Sequence, residues 1–132
     1  MKRLLTTKPY RIDAMLNKHW KFGEIWWTQC SPSVGNEFRG RRPTVIFRND
    51  QLQRRSGGGV ISVATMCSYK GTKGPYDFLI PNTPQNGLQK PTLLKVEYIM
   101  SYDPSRFLKK IGELEGEWLE RAQEYLRTHF GI

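Results

Sequence analysis

The chain has little cysteine and little histidine: Cys30, Cys67, His19 and His129 are the whole supply in 132 residues. One disulfide is arithmetically possible, but two reduced cysteines inside strands are the expectation. No CxxC or HExxH spacing occurs, so neither a metal site nor a cofactor is expected. Long apolar runs are missing too. "MKRLLTTKPYR" holds two adjacent leucines where a signal peptide needs a longer apolar region, and nothing approaches membrane-spanning length. The expectation is a cytoplasmic protein with no membrane attachment.

Acidic residues are also scarce, 12 Asp and Glu against 21 Lys and Arg, for a formal charge of +9. The deficit is uneven. Residues 113–132 hold five Glu and two Arg, a local −3, so the other 112 residues carry +12. A basic body attracts polyanions, with nucleic acid as the first candidate, although charge can also serve solubility alone. Apolar content of 38% with 12% aromatics is a globular composition of one-domain length.

"DAMLNKHW" (Asp13–Trp20) suits a short helix capped by Asp13. Five strands follow by pattern: "FGEIWWTQC" with Ile25 and Trp27 on one face, "PTVIFRN" opened by Pro43, "VISVATMCS", "YDFLIP" and "TLLKVEYIM". The glycine-rich "DQLQRRSGGG" reads as a flexible loop. "DPSRFLKKIGEL" reads as a short helix, with Asp103 as cap and Pro104 in its first turn. "EGEWLERAQEYLRTHF" puts Trp118, Leu119, Ala122, Tyr125, Leu126 and Phe130 on one side of an amphipathic helix. The sum is mainly β with helices: a small twisted barrel or half-barrel, residues 22–132, behind an N-terminal extension of residues 1–21.

The stretch "GNEFRGRRPTVIF" concentrates chemistry. An arginine beside the proline of a buried strand starts from a fixed backbone point and aims a planar fork suited to phosphate oxygens. That singles out Arg42. Arg39 and Arg41 read equally well as solvated loop residues.

Three segments in order carry a resemblance. "GEIWWTQCSPSVGNEFRGRRPTVIFRND", "VISVATMCS" and "LLKVEYIMSYDPSRFLKKIGEL" resemble the MazF/PemK (Kid) toxins of type II toxin–antitoxin systems, over Gly23 to Leu114. The resemblance implies an SH3-like barrel, shared with the CcdB gyrase poison, acting as a homodimer. It implies metal-independent, sequence-specific cleavage of single-stranded RNA, and inhibition by a cognate acidic antitoxin. Arg42 falls at the family's catalytic arginine, Thr65 at its catalytic threonine and Glu37 at its loop carboxylate. Lys95 and Glu97 stand where the Kid branch has an Arg-x-Asp pair, and Asn36 where that branch has a histidine. Arg39, Arg41, Met66 and Ser68 complete the implied substrate-binding set.

Such a reaction uses the ribose 2′-OH as nucleophile on the adjacent phosphorus. Strand alternation places Lys95 and Glu97 on one face, so both could meet a cleft, Glu97 as base; a surface ion pair is the alternative for the two. Two other classes stay open: a CcdB-like poison that binds a protein and cuts nothing, and a non-catalytic barrel binding RNA on aromatics. Trp26, Trp27, Phe38 and Tyr98 are available for stacking, with Trp27 and Tyr98 read as core.

Overall fold

The computed structural model describes residues 20–48 and 59–132. The helix expected at 13–20 and most of the glycine-rich loop lie outside the described residues, as does nearly all of the N-terminal extension. Six strands form one antiparallel sheet: β1 (Glu24–Gln29), β2 (Arg41–Ile46), β3 (Ile61–Ser68), β4 (Asp77–Ile80), β5 (Thr92–Tyr102) and β6 (Phe107–Glu113). Their order is β4-β5-β3-β2-β1-β6, and the chain ends in one helix, α1 (Gly116–Phe130). Among the described residues no helix is long and apolar enough to cross a membrane.

The sixth strand corrects the expectation of a helix at 103–114. The start signals are real: the Asp103 carboxylate accepts from Ser105 N at 2.9 Å, and Pro104 opens a 3-10 turn over Pro104–Arg106. The turn then stops, because "FLKKIGE" has a better option. It pairs with the open edge of β1, from Trp27↔Lys109 to Glu24↔Glu113, and Phe107 becomes fully buried. Burying such a ring is worth about 1.5–3 kcal/mol, more than capping one short helix. Gly112 makes the strand fit: a Cβ there would lie 2.2 Å from the Asn86 carbonyl oxygen.

Alternation gives the sheet two apolar faces. Ile25, Val45, Ala64, Leu94 and Val96 pack with Trp118, Leu119, Ala122 and Tyr125 of α1. The other face gathers Trp20, Trp26, Ile46, Ile61, Val63, Tyr102 and Phe107. The helix is amphipathic as expected, but its end is not covered: Ala122 is fully buried while Phe130 is 58% exposed. Gly23, at φ +89°, seats the helix, since its missing Cβ would lie 2.8 Å from Leu119 Cδ1. Trp26, not Trp27, is the core indole. Its Nε1 donates to the buried Glu24 carboxylate at 3.0 Å, and Lys110 pairs with Glu24 at 3.0 Å.

Candidate active site

Cross-strand register puts the two leading candidates together. Thr44 of β2 faces Thr65 of β3, and Arg42 lies two positions along β2 on the same side. Such diagonal neighbours lie roughly 7–8 Å apart, with their Cβ atoms somewhat closer. Pro43 sits between them near the start of the strand, where its missing N–H is tolerated. Beneath them Thr28 and Thr44 share a hydroxyl hydrogen bond of 2.8 Å, fixing a buried polar floor.

Arg42 is half-buried. Its Nε–H donates to the Arg39 carbonyl at 3.0 Å, and its guanidinium lies 4.8 Å over the Phe38 ring. Phe38 in turn packs on Tyr98, centroids 4.8 Å apart. Thr65 is fully buried, and its hydroxyl donates to the Tyr98 carbonyl at 3.4 Å. The loop before β2 is tied at its base. Arg106 donates to the Gln29 and Ser31 carbonyls at 3.1 and 2.6 Å, and Gly40 N donates to Ser31 Oγ at 2.7 Å. Glu37 belongs to the loop's own structure, its carboxylate accepting from Val34 N at 2.8 Å. Asn36, Arg39 and Arg41 are exposed.

The strand pair expected to carry Lys95 and Glu97 is interrupted. Thr65 faces Lys95 and Ala64 faces Ile99, so residues 96–98 bulge out of β5. Leu94 and Val96 still share the helix-side core, and neither Lys95 nor Glu97 is among the residues lining the cleft beside Arg42. Nor do they pair with each other. Lys95 bonds Asp77 at 2.8 Å, a carboxylate only 3% exposed that also accepts from Gly74 N. That hydrogen bond raises the lysine's pKa, so it stays an ammonium across the working range. Glu97 is exposed, and on α1 burial and then the Glu97 charge raise the Tyr125 phenol.

A cleft of about 500 Å³ opens beside Arg42. Its walls include Trp27, Arg41, Arg42, Pro43, Ser68, Lys90 and Lys109, and none of the described residues lining it is acidic. Such a wall favours an anion. Trp27 is 36% exposed, so the expectation that it is core gives way to a place on this wall. Tyr98 is half-buried and held by the aromatic stack instead of by the core. Met66 is fully buried and reaches the cleft only as part of its floor. Cys67 also touches the cleft; burial raises its thiol pKa, and burial does the same to Cys30. Both cysteines are free.

Two participants, and the contact made by a third, were not legible in the sequence. Asp77 begins a short strand with no motif around it, and Arg106 is 75 residues from the carbonyl it grips most tightly. Tyr98, a candidate for stacking on bases, instead meets Phe38, from within a bulge. A glycine- or proline-free run such as "LLKVEYIM" gives no local signal for one.

The family of PemK-like, MazF-like toxins of type II toxin–antitoxin systems matches residues 21–130, and the chain belongs to it. Endoribonuclease MazF9 of Mycobacterium tuberculosis is 32% identical over 113 residues, covering 83% of this chain and 95% of that protein. Endoribonuclease EndoA of Bacillus subtilis is 28% identical over 112 residues, covering 85% and 95%. Among solved structures, MazF from Deinococcus radiodurans superposes with a TM-score of 0.74 at 18% identity, covering 88% of this chain and all of that one. A mycobacterial endoribonuclease in complex with its cognate antitoxin has a TM-score of 0.63 at 14% identity, covering 87% and 96%.

Proposed function

We propose that the protein is the toxin of a toxin–antitoxin pair and cuts single-stranded RNA by 2′-OH attack. The observation that carries this is Arg42. Its guanidinium is fixed by one backbone carbonyl and one ring, has no carboxylate partner among the described residues, and stands at the edge of a basic cleft. The relatives named endoribonucleases support the same reading. In the reaction, the 2′-OH gives its proton to solvent as its oxygen attacks phosphorus, the 5′-oxygen leaves and takes a proton from solvent, and charge grows on the phosphate oxygens in between. Arg42 meets that charge with its Nη donors; because arginine rarely loses a proton, its part is electrostatic. Thr65 is buried beside the cleft residue Met66 without lining the cleft, and its hydroxyl, bonded to the Tyr98 carbonyl, is the group proposed to contribute. Arg41, Lys90 and Lys109 attract neighbouring phosphates along the wall. Lys95 acts with Asp77 to hold β4 against β5, and Glu97 is assigned no proton transfer. The partners proposed are RNA, a second copy of this chain and a cognate acidic antitoxin, all in the cytoplasm.

The deciding test incubates the pure protein with an RNA oligonucleotide and with the same oligonucleotide carrying 2′-deoxyribose before the scissile bond. Cleavage of the first only is expected, with the rate unchanged by EDTA, since protein groups fill the assigned roles. Cleavage of the deoxy substrate, or a requirement for Mg²⁺, sinks the mechanism. Toxicity in cells with no RNA cut would select the protein-binding poison, and RNA binding without cleavage the non-catalytic barrel.

A further inference from the structure

Three arginines lie within four positions, Arg39, Arg41 and Arg42. Their charges repel, and the nearest acidic candidate, Glu37, is turned to Val34 N. A carboxylate holding Arg42 would fix it but would also neutralise the charge a phosphate needs. The structure uses a ring instead. Asn36, Glu37 and Arg39 around Phe38 are exposed, yet Phe38 itself is half-buried between Arg42 and Tyr98. A guanidinium within about 6 Å of a ring face is attracted without losing its charge, and keeps its in-plane donors for other partners. With Nε committed to the Arg39 carbonyl, the ring fixes the remaining freedom, the tilt of the plane. The Tyr98 carbonyl accepts from Thr65, so the stack joins the two candidate reaction groups through one loop ring and one bulge residue.

We propose that Phe38 is a positioning residue: clamped on Tyr98, it holds the Arg42 guanidinium plane, uncompensated in charge, in the orientation that receives the scissile phosphate. This rests on the RNA-cleaving reading and adds a residue to it. The ring touches no reacting atom. Its effect passes through Arg42, and misplacing such a group by an ångström can cost up to about a hundredfold in rate.

The test uses full-length protein as wild type, F38A, F38Y, R42A and F38A/R42A. F38A is expected to slow single-turnover cleavage about tenfold or more, while affinity for the uncleavable 2′-deoxy RNA changes less than about threefold. F38Y, which keeps the ring, is expected to return cleavage to within about twofold of wild type. The double variant is expected to be no slower than R42A, because both changes remove one device. A second readout is independent of activity. In wild type and F38Y the Arg42 Nε–H NMR resonance should be shifted by the ring and slow to exchange; in F38A it should merge with those of exposed arginines. The proposal is overturned if F38A cleaves at the wild-type rate or faster, or if its loss adds in full to that of R42A. Equal losses in affinity and rate would overturn it too, making Phe38 a base contact. Should wild type cut no RNA, the RNA-cleaving reading fails, and an Arg42 resonance unchanged in F38A then overturns the clamp by itself.

Discussion

Arg42 carries the phosphate at the scale of a single side chain, so R42A is expected to lower the cleavage rate on the order of 10²–10³-fold, with the circular dichroism spectrum unchanged. Thr65 separates hydroxyl from shape. T65A should slow cleavage, and T65S, which keeps the donor to Tyr98, should recover most of it. Wild-type rates for both R42A and T65A would put the site elsewhere. E97Q should cleave within about threefold of wild type, because that carboxylate does not line the cleft beside Arg42; a loss near that of R42A would restore Glu97 as the base. Lys95 has a stability role that titrates. K95M leaves the buried Asp77 unpaired, at a cost of about 2 kcal/mol. The folded-state pKa of Lys95 is raised above its ordinary 10.5, so its contribution is fully present below that pH and fades as pH climbs through the raised value. Urea unfolding of wild type and K95M should therefore show a constant gap from pH 7 to 10 that narrows above about 10.5. A gap already closed at pH 9 contradicts the pairing. Arg42 and Thr65 could be singled out from sequence because each sits in a recognisable segment on an element whose pattern is clear. Asp77 could not, since burial of a lone carboxylate depends on contacts far along the chain.

Elements decide the places where sequence reasoning failed. The Asp103–Pro104 start signal reads as opening a helix and opens only a 3-10 turn, because local signals say nothing of an unpaired strand edge waiting nearby. In β5, the register shift over residues 96–98 leaves Lys95 opposite Thr65 and Glu97 with no partner in β3, which period-two reading could not anticipate. The contact between β6 and the turn before β5 offers a direct check. Gly87 has φ +71°, and a Cβ on it would lie 1.8 Å from the Ile111 carbonyl oxygen. Positive φ alone costs a non-glycine residue about 1–3 kcal/mol, and the clash adds to that. G87A should therefore lower the denaturation midpoint clearly, with β6 amides losing hydrogen-exchange protection before those of β3. Gly71 is the control: its φ is +95°, but nothing lies within 4 Å, so G71A should show the smaller loss. Equal losses would mean that conformation, not close approach, governs both sites.

For the whole molecule, the unequal distribution of charge bears on its partners. An acidic antitoxin segment that covers the Arg42 wall should compete with RNA, and added salt should weaken both, since each neutralises the same cations. Titrating the antitoxin against a fluorescent uncleavable RNA checks this; RNA still bound at saturating antitoxin would place the inhibitor on another surface. The charge count was available from composition, whereas its geometry needed the fold. Glu117, Glu120 and Glu124 are exposed on α1, which covers the face opposite Arg42 and Thr65.

Among the described residues, that separation sets up an electric dipole. In the field of a polyanion, a dipole feels a torque before it makes a contact. The negative helix turns outward and the arginine-bearing face turns inward while the partners are still about a Debye length apart, about 8 Å at physiological ionic strength. The exposed glutamates of α1, remote from the chemistry, thus bias the angle of approach. Their influence belongs to the encounter rate at low salt, not to the strength of the complex once formed.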